Sequence, residues 1–489
     1  MVPLAKTGGL GDVCGALPRA LESLGCRCSA FLPGYRSALN CGLPIEATDL
    51  YFSVPVANNL VSCRILKTRL PGSHVDVYLV DQPKYFDRSG LYGDGHGEYR
   101  DNCERFAFFC RATIEAIHRL DLRPDVVHCH DWQAGLIPAY LDARLGNYDW
   151  MDHAASVMTI HNLAYQGRFW HLDMPLTGLD WKYFNWEQLE YYGDLNLMKS
   201  GLVFADHLTT VSPTYSREIT RPEHGCGLDS ILANRKSELT GIVNGVDYGQ
   251  WDPATDPHLP ANYDESNWSQ GKAVCKSALQ SELQLELSAS APLIGIVSRL
   301  AGQKGWDLIL PLLRRWLPRH DVQWAILGAG DKNYENELRD LADMYPQKIA
   351  ARLEFSEALA HRIEAASDLF LMPSRYEPCG LNQLYSLKYG SVPVVHATGG
   401  LVDTVVPTTA ETLREGRATG FVFSDYSLEG LEKALQEALD FFLHRRQQWS
   451  QIVTTGMRDD WSWQRSAEQY RETFLETIRR KSRKLAEVT

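Results

Sequence analysis

No run of apolar residues in this chain approaches the roughly 20 needed to cross a bilayer as a helix. The opening Met1-Val2-Pro3-Leu4-Ala5-Lys6-Thr7-Gly8-Gly9 also lacks the apolar centre of a secretory leader. No membrane partner is expected, and a cytoplasmic location is. Positive charge is in deficit: 49 Lys and Arg against 61 Asp and Glu leave a formal charge of −12. Such a surface repels a polyanion, so no nucleic acid is expected; a neutral ligand, or a small anion held at one local site, fits the balance. The eleven cysteines are an odd number without the spacing of a disulfide framework, so reduced thiols are expected. Metal-ligand spacing is missing as well. His128-Cys129-His130 has no second ligand pair at finger distance, and on a strand its neighbouring side chains alternate between faces. No metal is expected. GxSxG, HExxH and Cys-His nucleophile patterns are absent, which removes the hydrolases built on them.

What is present describes a soluble, ordered protein: 489 residues, 44% hydrophobic and 22% charged. The length exceeds one ordinary core, so two domains are expected. Short apolar runs alternate with helical patterns. Strands fit 28–32, 74–79, 125–129, 155–160 and 208–211, then 293–297, 322–327, 369–372 and 392–395. Helices fit 13–24, 99–118, 133–145, 305–317, 332–344, 381–389 and 428–442. The alternation reads as α/β architecture with parallel sheets. A boundary is expected near 239–252, where Gly241-Ile242-Val243 runs into the turn Asn244-Gly245-Val246-Asp247; 252–267, rich in Pro, Asp and Asn, reads as a loop. Ligands of such sheets bind beyond the carboxyl ends of the strands. One short echo joins the halves: Thr7-Gly8-Gly9-Leu10 returns as Thr398-Gly399-Gly400-Leu401, each opening a helical segment.

Four segments carry chemistry, and each has two readings. Lys6-Thr7-Gly8-Gly9 is either a diphosphate or glycosyl site at a helix start, or a glycine turn beside a solvated lysine. Arg299 and Lys304 follow an apolar strand and open a helix. They either neutralise a leaving pyrophosphate or are two surface charges. Glu377 lies on the loop between a strand and the helix that Leu381 begins. It either supports a sugar with developing positive charge or serves the helix dipole. Asp131-Trp132 and His161 follow two further strands, with Tyr165 close behind. The rings of Trp132 and Tyr165 can stack on sugar faces, or the group is structural.

Together these segments resemble the bacterial glycogen synthase and plant starch synthase family of glycosyltransferases. The resemblance spans nearly the whole chain. It rests on Lys6-Thr7-Gly8-Gly9-Leu10-Gly11-Asp12-Val13, Asp125-Val126-Val127-His128-Cys129-His130-Asp131-Trp132 and Thr159-Ile160-His161-Asn162-Leu163-Ala164-Tyr165-Gln166-Gly167. Asn244-Gly245-Val246-Asp247, Ser298-Arg299-Leu300, Gln303-Lys304-Gly305 and Pro373-Ser374-Arg375-Tyr376-Glu377-Pro378-Cys379-Gly380-Leu381 complete it. It implies a GT-B fold, two Rossmann-like domains with parallel sheets facing across a deep cleft: 1–240 on the acceptor side, 241–460 for the nucleotide sugar, and 461–489 as a helix returning to the first domain. It implies transfer of glucose from ADP-glucose to an α-1,4-glucan with retention and without a metal or other cofactor. Glu377, Arg299, Lys304 and His161 would be catalytic. Lys6, Gly8, Gly9, Asn244, Phe355, Cys379, Gly380 and Leu381 would bind the nucleotide sugar, and Asp131, Trp132 and Tyr165 the acceptor. The family also places an apolar strand before the glycine loop; from Met1 onward this sequence has none, so a start further upstream is expected. Sequence leaves open a UDP-glucose or sucrose synthase-like donor chemistry, a glucan-binding relative with weak catalysis, and the oligomeric state.

Overall fold

The structure, a computed structural model, describes every residue except His96 and Thr489. The chain divides into two units. One is Met1–Gly245 together with the C-terminal segment from Trp463; the other is Val246–Ser462. The first crossing thus falls inside the Asn244-Gly245-Val246-Asp247 turn.

The second unit is built on six parallel strands. In space they run Ile349–Arg352, Gln323–Leu327, Leu293–Val297, Leu369–Met372, Val392–His396, Phe421–Phe423. Counted along the chain, that order is third, second, first, fourth, fifth, sixth. It is the doubly wound Rossmann order, whose direction reverses between the first and fourth strands. The four central strands are apolar because helices cover both faces, leaving no face for polar alternation. The amphipathic helix Trp306–Trp316 buries Trp306, Ile309, Leu312, Leu313 and Trp316 against this sheet, while Arg314 stays out in solvent. Each buried Leu or Ile side chain contributes about 1.5–3 kcal/mol.

The first unit holds two four-stranded sheets. One has the order Leu239–Gly241, His207–Thr210, Ala155–Ile160, Val126–His130, all parallel. The other has the order Ser29–Pro33, Asp76–Asp81, Asn59–Arg69, Glu46–Val56. Only its first pair is parallel; a long antiparallel hairpin fills the remainder. The purely parallel expectation therefore needs this addition. The hairpin turns at Ala57-Asn58, with Ala57 at φ 47° and Val56 paired to Asn59. Two-residue turns usually announce themselves by Asn-Gly or Asp-Gly; this one does not. Helix Gly9–Ser23 packs Val13, Ala16, Leu17 and Leu21 against Trp463, Ala467 and Tyr470 of the last helix, Trp463–Val488. Both helices belong to the same unit. The 252–267 loop ends in a further helix, Trp268–Leu283.

Candidate active site

In the second unit the point where strand order reverses lies between Leu293–Val297 and Leu369–Met372. Just beyond their carboxyl ends come Arg299 and Lys304, and Ser374 and Glu377. The sheet thus delivers two cations and a carboxylate to the place where such folds bind ligands. Lys304 Nζ lies 2.5 Å from Glu377 Oε2, and the Ser374 hydroxyl donates to the same oxygen at 3.0 Å. Glu377 is 6% exposed. Burying a carboxylate this far from water is costly unless it is paired and hydrogen-bonded, and Lys304 and Ser374 are its partners. Arg299 donates to the Gln303 side chain at 3.3 Å, and its carbonyl accepts the Trp306 indole N–H at 3.0 Å. The Gln303 amide reaches the Tyr376 carbonyl at 3.3 Å, and the Gln303 carbonyl accepts the Arg375 N–H at 2.9 Å. The loop carrying the cations and the loop carrying the carboxylate are therefore tied through backbone.

Two glycines set the Glu377 loop from behind. Gly400 N–H donates to the carbonyls of Glu377 and Pro378 at 3.1 and 3.2 Å. A Cβ on Gly399 would meet the Glu377 carbonyl at 2.0 Å, and one on Gly400 the Cys379 carbonyl at 2.0 Å. Cys379 is buried, Gly380 adopts φ 74°, and Leu381 stands at the N-terminus of helix Asn382–Tyr389. The Asn382 amide holds that helix to the Val297 carbonyl at 2.6 Å. Phe355 is 85% exposed beyond Ile349–Arg352. Sequence spacing assigns no role to Ser374 or to the second Thr-Gly-Gly. The signal for each is its place two residues after an apolar strand, Leu369–Met372 or Val392–His396.

In the first unit, Asp131 and His161 end the neighbouring strands Val126–His130 and Ala155–Ile160. Asp131 Oδ1 accepts the His161 N–H at 2.8 Å, and His161 Nε2 lies 3.0 Å from His130 Nδ1. His128 and His130 share one face, ring centroids 4.1 Å apart, with Cys129 buried on the other. Burial lowers His161 well below the usual histidine range and His130 to about 4, and raises the Asp131 carboxyl to about 7. A neutral His161 fits hydrogen bonding to an uncharged hydroxyl. Its partner His130 is brought to it by the register of two parallel strands, in which His130 pairs with Thr159. Among the described residues no group of three or more His, Cys, Asp or Glu is placed to hold a metal ion.

Lys6 is exposed and pairs with Asp12 at 2.7 Å; Gly8 and Gly9 are exposed, with open space where a Cβ would stand. Asn244 is 4% exposed, and its Oδ1 has no hydrogen-bond partner. Tyr165 is half exposed and lines a cavity of about 390 Å³ with Glu98, Trp132, Arg168, Tyr191 and Cys226. Trp132 is 6% exposed. Its ring packs edge-on to Phe106 (4.8 Å) and Phe169 (5.7 Å), and a Cβ on Gly167 would stand 2.4 Å from it. An aromatic between two apolar-run elements is as readily core as platform, and only packing decides.

Two family models match the chain: the starch synthase catalytic domain over residues 1–234 and glycosyl transferases group 1 over residues 282–452. The glycogen synthase of Rhodopirellula baltica is 48% identical over 487 residues, covering 98% of this chain and 96% of that one. The glycogen synthase of Anaeromyxobacter dehalogenans strain 2CP-C is 47% identical, covering 97% of each. Among solved structures, the catalytic domain of starch synthase IV from Arabidopsis thaliana, bound to ADP and acarbose, superposes with a TM-score of 0.88 at 32% identity. It covers 98% of this chain and 97% of that one. Sucrose-phosphate synthase from Thermosynechococcus elongatus, at 14% identity and a TM-score of 0.57 over 96% of this chain and 94% of that one, shares the fold. The chain therefore has the GT-B fold and belongs to the glycogen and starch synthase family of glycosyltransferases.

Proposed function

We propose that the protein transfers glucose from ADP-glucose to the non-reducing end of an α-1,4-glucan with retention of configuration. The observation that carries this reading is the pairing of Lys304 with the buried Glu377 where the order of the six-stranded sheet reverses. There a nucleoside diphosphate meets two fixed cations, Arg299 and Lys304. Charge on the diphosphate grows as its bond to glucose breaks, so these cations stabilise the transition state more than the ground state. In this reading they do what a divalent cation does elsewhere, and chelation by EDTA leaves turnover unchanged.

Glu377 faces the sugar. Two donors hold its Oε2, so the carboxylate is oriented beside the developing positive charge. The backbone at Cys379, Gly380 and Leu381, at the start of helix Asn382–Tyr389, suits the phosphates, and Phe355 the base. Lys6 and the open backbone at Gly8 and Gly9 suit an anion; neutral His161, with Asp131 behind it, suits sugar hydroxyls. Asn244, with its unpartnered oxygen, is assigned to the sugar. The C1–O bond to the diphosphate breaks as the bond from C1 to the acceptor oxygen forms on the same face. The acceptor proton passes to the departing phosphate. A glucosyl adduct trapped on any side chain contradicts this route.

Release of ADP or UDP from the two donors, with a glucan primer, tests the reading. ADP-glucose is expected to win the competition. Glu377→Ala and Glu377→Gln are expected to cut turnover by about 10²–10³-fold while the thermal transition remains cooperative. Equal use of UDP-glucose, or full activity in both variants, overturns it.

A further inference from the structure

Arg299 is not carried on a free loop. Strands Leu293–Val297 and Gln323–Leu327 pair up to Val297 and Leu327, and the ladder resumes beyond them as a parallel bridge between Leu300 and Gly330. The Ser298 N–H donates to the Leu327 carbonyl at 3.1 Å, the Leu300 N–H to the Ala329 carbonyl at 3.0 Å, and the Asp331 N–H to the Leu300 carbonyl at 2.8 Å. Arg299 thus stands between two residues bonded to the same neighbouring segment. The approach there leaves no room for side chains. A Cβ on Gly328 would meet the Ser298 carbonyl at 1.8 Å, and one on Gly330 the Leu300 carbonyl at 2.3 Å. The carbonyls on either side of Arg299 therefore rest on two glycines, and the Arg299 backbone follows the course of Gly328-Ala329-Gly330.

One side chain fixes that segment from its other side. The bridge to Leu300 uses the Ala329 carbonyl and the Asp331 N–H, and leaves the Gly330 N–H for another acceptor. Glu335, in the first turn of helix Lys332–Met344, is that acceptor: its Oε1 takes the Gly330 N–H at 3.2 Å. Its Oε2 takes Lys332 at 2.7 Å and Arg339 at 3.2 Å. The Glu335 side chain is 3% exposed, whereas those of Lys332 and Arg339 are 79% and 51% exposed. Ion pairs to such exposed cations add little; they neutralise a carboxylate turned inward onto backbone.

We propose that Glu335 is a positioning residue for Arg299: by holding the Gly330 N–H it fixes the backbone that aims the guanidinium at the nucleoside diphosphate. The inference rests on the place that the proposed function gives to Arg299. Glu335 stands behind the two glycines and acts only through them. A cation set out of place by a fraction of an ångström loses part of its hold on a charge that grows during the reaction, so support behind the loop reaches the chemistry without touching it.

A double-mutant cycle on ADP binding to the full chain, read by calorimetry, tests this. Arg299→Ala is expected to weaken ADP about 30-fold and Glu335→Ala about fivefold. In the Arg299→Ala background, Glu335→Ala is expected to change the affinity by less than about twofold, because no guanidinium remains to be aimed. Glu335→Gln, which keeps an oxygen for the Gly330 N–H, is expected to stay within about twofold of wild type. Urea denaturation of each variant separates loss of fold from loss of aim. Should Glu335→Ala fail to fold, Glu335→Asp, which keeps the charge and lacks the reach, takes its place in the cycle. Equal losses in the two backgrounds make Glu335 a residue of general stability and overturn the inference, as does wild-type affinity in Glu335→Ala. Wild-type affinity in Arg299→Ala defeats the diphosphate role of that residue, and this inference with it. Turnover is read separately: a non-additive cycle in a chain that releases no ADP from ADP-glucose sustains the inference and defeats the proposed reaction.

Discussion

The tetrapeptide Thr-Gly-Gly-Leu does opposite work in the two units. At 398–401 the glycines are buried, and two carbonyls of the Glu377 loop press on them so closely that any Cβ would stand 2.0 Å from an oxygen. At 7–10 the same glycines are exposed with nothing near. Glycine in the first case is required by the protein's own packing. In the second no described residue of the unit packs against them, and the backbone is left open to the close approach of a ligand that the proposed function assigns there. Identical local sequence is thus closed by the protein's own backbone in one place and open in the other, and the distinction lies in what packs against it.

The comparison breaks most visibly at Gly400. Gly400→Ala places a methyl against the Cys379 carbonyl, which is fixed backbone. A loss of about 2–3 kcal/mol in unfolding free energy is expected from urea denaturation. Turnover should fall with it, because the Gly400 N–H that positions the Glu377 carbonyl is displaced. A variant of wild-type stability would mean that the loop is looser than its contacts indicate.

At the exposed copy the effects should move to activity alone. Lys6 pairs with Asp12 only at the surface, side chains 43% and 24% exposed, so Lys6→Ala should change stability by less than about 1 kcal/mol. Turnover is expected to fall about 10²-fold if the ammonium meets the diphosphate. Gly9→Ala should leave stability unchanged or slightly raised, since Gly9 is the first residue of a helix and Ala is the better helix former. The KM for ADP-glucose should rise roughly tenfold, about 1.4 kcal/mol, from a methyl held between backbone and phosphate. Wild-type kinetics in both variants would return this copy to the status of a plain turn.

Legibility followed the same division. The six-stranded sheet was largely readable because buried parallel strands such as Leu293–Val297 and Leu369–Met372 are short continuous apolar runs. Strands Ile349–Arg352 and Phe421–Phe423 were not: each is only three or four residues long, and one ends in Arg. The hairpin Glu46–Val56 with Asn59–Arg69 was hidden by its unsignalled Ala57-Asn58 turn. Charged site residues stood out by their place after apolar runs. Their partners did not, because Ser374 on Glu377 and His130 on His161 are made by contacts that sequence spacing does not encode. The burial of Trp132 against Phe106 and Phe169 was hidden for the same reason.

The subtlest difference between the units is electrostatic. The second answers a buried carboxylate with Lys304, whereas the first surrounds Asp131 with neutral groups, and burial raises its pKa to about 7. His130 is lowered to about 4, and His128 and His161 lie well below the usual range, all from burial. In the unfolded chain these groups return to roughly 4 for Asp and 6.5 for His. Between about pH 6.5 and 4 the unfolded state therefore takes up protons on three imidazoles that the folded state refuses, so stability falls as pH falls. Asp131 acts in the other sense: its contribution is full below about pH 4 and is lost as pH rises through 7. Asp131→Asn keeps an oxygen for the His161 N–H but removes this opposing contribution. Its acid loss of stability should be steeper by about one proton, roughly 1.4 kcal/mol per pH unit, so that the variant matches the wild type near pH 4, exceeds it at pH 7, and runs parallel to it above pH 7. Urea denaturation across pH 4–8 measures this, and parallel curves for the two proteins would show that Asp131 is ionised throughout.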